Sequence, residues 1–157
     1  MDDLLGAPLQ AKLALAALLA ALCVSVVTDL RQKLILDVVT LPALAIVAAC
    51  AASLGGWALL AEAAAGALVC AGPFALAALR GWMGAGDVKL MAVAGAVSGI
   101  AAGWPFSVQL LLCVAIAGGA QALAGIVAAR LRGREIPRQV PYGVAIAVGT
   151  VAAFVWG

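Results

Sequence analysis

The chain has no histidine. That absence removes the His-Glu-x-x-His zinc site, Ser–His and Cys–His nucleophile pairs, and histidine-based proton relays. Charge is scarce as well: 10% of the residues are charged and 67% are hydrophobic. A soluble domain of 157 residues needs far more polar surface. Cys23, Cys50, Cys70 and Cys113 each stand alone in an apolar run. With no Cys-x-x-Cys pair, neither a zinc knuckle nor a redox motif is supported, and the four read as small apolar fillers. The opening stretch "MDDLLGAPLQAK" has no basic n-region, and Leu22 stands where a lipoprotein signal before Cys23 needs a small residue. The first apolar segment is therefore expected to be retained.

What is present is a succession of Ala-, Leu- and Val-rich stretches approaching the length that crosses a bilayer. They do not alternate, which excludes a β-barrel. The expected class is an all-α polytopic membrane bundle, one domain over residues 1–157. Apolar runs between charges predict six spans near 9–28, 37–56, 58–79, 88–102, 105–129 and 141–156. The fourth carries Gly95, Gly99 and Gly103 at four-residue spacing, a pattern suited to close helix packing.

The basic residues sort to one side. Arg31 and Lys33 fall between spans 1 and 2, Arg80 and Lys89 flank the connection of spans 3 and 4, and Arg130, Arg132, Arg134 and Arg138 lie between spans 5 and 6. Only Lys12 falls opposite, with Asp2, Asp3 and Glu62. The positive-inside rule makes the basic side cytoplasmic and places both termini outside. Trp57, Trp82, Trp104, Tyr142 and Trp156 fall near span ends, as interfacial aromatics do. The stretch "RLRGREIPRQ" reads as a topology determinant and lipid-headgroup contact, not as a nucleic-acid patch.

Two carboxylates share the cytoplasmic edge of the apolar layer. Asp29 ends span 1 in "VSVVTDLRQK", and Asp87 opens span 4 in "GAGDVKL". Ionisable groups at such a depth are costly and mark function by default. Two carboxylates brought together share a proton, so one can activate water while the other protonates a carbonyl oxygen. Gly84 and Gly86 would allow a tight turn and close approach of a peptide. The residues alone leave a plainer reading open, in which Asp29 pairs with Arg31 or Lys33 and Asp87 caps span 4. Asp37 reads as the N-cap of span 2. Lys89, two residues from Asp87 and so on another helix face, reads as a snorkelling anchor.

"GAGDVKL" resembles the Gly-x-Gly-Asp motif of intramembrane aspartic proteases, and Val-Lys-Leu is similar to the continuation in the prepilin peptidase branch. Asp29 followed by "LRQKLILD" resembles that branch's first catalytic aspartate with its basic turn, although Leu36 stands where the family commonly has proline. "VPYGVAIAVG" resembles the Pro-Tyr-Gly segment that opens the family's last span. The resemblance implies Asp29 and Asp87 as the catalytic pair, with Gly84, Gly86, Lys89, Pro141, Tyr142 and Gly143 supporting the motif or the substrate. It implies no metal or cofactor, a prepilin-like substrate with an N-terminal hydrophobic helix, and a place in the bacterial inner membrane. Bifunctional members carry a cytoplasmic insertion with paired Cys-x-x-Cys motifs, linked to N-methylation. This sequence has none, and so resembles the short form serving Flp-type, tight-adherence pili. Archaeal preflagellin peptidases and general-secretion prepilin peptidases are close rivals. Two readings from other classes stand beside the peptidase: a small carrier whose aspartates bind protons or cations, and a non-catalytic pilus-assembly membrane subunit.

Overall fold

A computed structural model describes residues 8–32, 37–132 and 142–156, and every regular element among them is a helix. In chain order these are α1 (Leu9–Gln32), α2 (Asp37–Leu79), α3 (Ala85–Ala102), α4 (Trp104–Leu131) and α5 (Tyr142–Trp156). In lipid every backbone donor and acceptor must be satisfied within the segment, and Ala/Leu-rich helices do this. The first four are long and apolar enough to cross a membrane, and α5 is a shorter apolar helix.

Helix α2 is not one rod. At 43 residues a straight helix would be about 64 Å long, twice the hydrocarbon thickness of a bilayer. Gly55 (φ −139°, ψ 16°) and Gly56 (φ 59°, ψ −144°) leave helical geometry and break it. The contacts on either side show that the chain reverses there. Asp37 reaches Lys89 in the first turns of α3, whereas the Glu62 carboxylate accepts the Trp104 N–H just past the other end of α3. Cys70 then lies beside Gly95, and Leu79 returns to the end where α3 begins. The break falls where sequence reading placed a boundary between spans.

Helix α3 sits at the centre. Every position from Val93 to Gly99 is buried, the pattern of a helix surrounded by others. Its glycines make this possible. A Cβ at Gly95 would collide with the Gly66 carbonyl, and one at Gly99 with the Glu62 carbonyl, so the second arm of α2 packs on α3 backbone to backbone, as small-residue membrane interfaces do. Ser98 and Ser107 hydroxyls lie 2.6 Å apart, and Ser98 also donates to the Gly95 carbonyl. The Cys70 thiol donates to the Ser107 carbonyl. These buried groups satisfy one another instead of facing hydrocarbon unpaired. The larger core side chains are Leu18, Val47, Leu90, Met91, Leu110 and Ile146. Leu68, Leu112, Ile116 and Val155 point outward, an arrangement that suits lipid as solvent. Trp57, Trp82 and Trp156 are the most exposed aromatics, and each lies at or near a helix end or break.

Candidate active site

The site is built at the end of the bundle where α1 finishes and α3 and α5 start. Helix α2 stops in a Schellman motif: Gly81, with φ 73°, donates its N–H to the Ala78 carbonyl, and Trp82 donates to Ala77. A short turn then delivers Gly84, the N-cap of α3, at φ −77° and ψ 148°. Asp87 is the third residue of the helix. Its side chain reaches back so that Oδ2 accepts the Gly84 N–H at 3.2 Å, while its own N–H donates to the Gly84 carbonyl. This is the reciprocal half of a capping box. Asp87 therefore does not occupy the N-cap, the position that the plainer sequence reading gave it.

Asp29 comes from the last turn of α1. Its Oδ2 accepts the N–H of Gly143, in the first turn of α5, at 2.7 Å. The first amides of a helix have no partner inside it, and here one of them is satisfied by a carboxylate from another helix. The ion pair with Arg31 that sequence reading left open is not made; Lys33 lies outside the described residues. Asp29 is 7% exposed and Asp87 9%, and both are held at this end of the bundle. Each is anchored through one oxygen to a glycine amide.

Lys89 faces away from Asp87 and pairs with Asp37 at 2.6 Å. Sequence reading gave the two residues separate duties, a cap and an anchor, and did not foresee the pair. No local pattern announces it, because the partners lie on different helices. Tyr142 is half-buried, and its ring lies against Gly118 of α4, where a Cβ would come within 3.3 Å of it. Gly86 is the second residue of α3. Pro141, grouped with Tyr142 and Gly143 in the sequence, lies outside the described residues.

These features define a multi-pass, membrane-embedded helical protein with a buried pair of carboxylates at one end of the bundle. The sequence model of the type IV leader peptidase family matches residues 16–123, more than half of the chain and a stretch that contains both aspartates. The protein belongs to that family, and is a membrane-embedded leader peptidase of the prepilin type. No curated protein and no solved structure matches it.

Proposed function

We propose that the protein is an aspartic endopeptidase that removes the leader of prepilin-like precursors at the cytoplasmic face of the bacterial inner membrane. The observation that carries this reading is the pair of buried aspartates, Asp29 and Asp87, held at one end of the bundle in a member of a leader-peptidase family. The reversal at Gly55–Gly56 supports six crossings, and the sidedness of the basic residues supports termini that both face outside. A substrate helix lying in the bilayer beside α1 and α3 presents its leader junction at the level of the aspartates.

One carboxylate takes a proton from water as the water oxygen bonds to the scissile carbonyl carbon. The other, protonated, gives its proton to the carbonyl oxygen. The tetrahedral intermediate collapses as the C–N bond breaks. The amine nitrogen receives the proton held by the first carboxylate, and the second recovers its own from the hydroxyl. No acyl-enzyme forms, in keeping with serines that have no base partner. Ser98 and Ser107, for instance, bond to each other.

Co-expression with a candidate Flp-type prepilin, read by leader length, tests the reading. Asp→Asn keeps shape and a polar acceptor but cannot share an ionisable proton. Asp29→Asn and Asp87→Asn should each lower cleavage by several orders of magnitude. The double variant should be barely worse than either single, because the two act as one unit. Mass spectrometry of the mature product should show an unmodified N-terminal amine, since the chain lacks the insertion linked to methylation. Substantial cleavage by either single variant, at wild-type membrane levels, would sink the dyad. Cation flux through liposomes without cleavage would favour the carrier.

A further inference from the structure

Gly143 makes two demands on the same residue. Its N–H is 2.7 Å from Asp29 Oδ2. A Cβ at that position would stand 2.8 Å from Oδ2, closer than real Cβ atoms approach, and 3.2 Å from the Asp29 Cβ, tighter than most. A side chain there would push the carboxylate from its place. The site lies beyond residues 16–123, the stretch matched by the family.

The electrostatics explain why such a donor is required. Asp29 occupies the last turn of α1, where unpaired carbonyls give the helix end a negative partial charge that opposes a carboxylate. The first turn of α5 presents the opposite end, a free amide with positive partial charge. Among the described residues, the other charged or titratable groups at this end are Asp87 and Lys89 of α3, Asp37 at the start of α2 and Arg80 just after it, Arg130 and Arg132 at the end of α4, Tyr142 of α5, and Arg31 on α1 itself. Lys89 is engaged by Asp37, and among the described residues the donor that reaches Asp29 is the α5 amide. The bond is the shorter of the two glycine anchors, at 2.7 Å against 3.2 Å for Gly84–Asp87.

We propose that Gly143 is the positioning residue of the first aspartate: its amide holds one oxygen of the Asp29 carboxylate, and its lack of a side chain leaves room for that carboxylate beside α5. This rests on the dyad reading above. It also makes seating of α5 against α1 part of the catalytic apparatus, since an α5 drawn back leaves Asp29 at a helix end that disfavours its charge.

The first test is Gly143→Ala, which crowds Asp29 while alanine favours the helix. kcat should fall about 100-fold, as for a small misplacement of a reacting group. KM should stay within about twofold, since what is disturbed is a reacting group and not the seat of the substrate. Gly119→Ala, in α4 with open space around it, should leave both unchanged. Wild-type kcat in Gly143→Ala would overturn the proposal. The second test needs no variant. The chain has one tyrosine, so carbonyl-13C tyrosine with 15N glycine labels the Tyr142–Gly143 amide uniquely. In the detergent-solubilised protein that resonance should shift in Asp29→Asn, which alters its acceptor, and hold its place in Asp37→Asn. An amide unmoved by Asp29→Asn would overturn the assignment even if that variant is inactive. Retained cleavage by Asp29→Asn would instead remove the dyad, and this proposal with it.

Discussion

At the scale of single residues, the molecule separates three aspartates that look alike in the sequence. Asp29, Asp37 and Asp87 all sit at one edge of the apolar layer, yet only Asp29 and Asp87 are buried; the Asp37 side chain is 57% exposed and that of Lys89 36%. Solvent screens such a pair, so it contributes roughly 0–1 kcal/mol. Asp37→Asn and Lys89→Gln should each lower detergent-phase stability by no more than that and leave cleavage within a few-fold of wild type. The double variant should match the worse single, because one interaction is lost in all three. Loss of cleavage comparable to Asp29→Asn would show that the pair belongs to the chemistry. Asp29 and Asp87 were legible as candidates because a carboxylate is conspicuous in a chain so poor in charge. Their anchors were not. Gly84 and Gly143 act through backbone amides, and a sequence shows where a glycine is but not which carboxylate its N–H will meet.

At the scale of elements, the apolar runs predicted the helices closely because runs, caps and charges are local signals. Helix α3 begins at Ala85, three residues before the predicted start at 88. Those residues form the first turn, which Asp87 closes from inside. Packing partners were less legible. Gly95 and Gly99 announced a close contact, but Gly66, on the facing arm of α2, did not, since nothing in an Ala-rich stretch marks one small residue as the one touched. The consequence is testable in thermal unfolding of the purified protein. Gly95→Ala, driven into the Gly66 carbonyl, should cost about 1–3 kcal/mol by overpacking. Gly72→Ala, in open space on the same arm, should stabilise by about 0.5–1 kcal/mol through helix propensity. Gly56→Ala should destabilise although nothing lies within 4 Å, because φ 59° with ψ −144° is a conformation only glycine adopts readily. Equal effects at all three positions would contradict this division between packing and backbone.

At the scale of the whole molecule, the proposed orientation and mechanism stand or fall together, since the leader junction must lie on the side of the aspartates. In a cysteine-free background, a single cysteine replacing Arg132 should resist an impermeant thiol reagent added to intact cells, and one replacing Asp3 should react. Labelling at position 132 from outside would invert the topology and put the carboxylates on the wrong face for a cytoplasmic leader.

The helices also differ in length, and not at random. Helix α4 has 28 residues, about 42 Å at 1.5 Å per residue, while α3 has 18 and α5 has 15, about 27 and 22 Å. The two short helices bring Asp87 and Gly143 to the site; α3 lies at the centre, and α5 turns Val148, Val151 and Val155 outward. A bilayer accommodates such a mismatch by thinning beside the short helix it touches, which draws the water interface toward Asp29 and Asp87 and shortens the path of a hydrolytic water. Acyl-chain length thus becomes a control on a protease that never leaves the membrane. Reconstituted in phosphatidylcholine vesicles of increasing chain length, the enzyme should cleave fastest in thin bilayers and lose kcat steadily as they thicken. A rate independent of thickness would mean that water reaches the pair by a route the lipid does not govern.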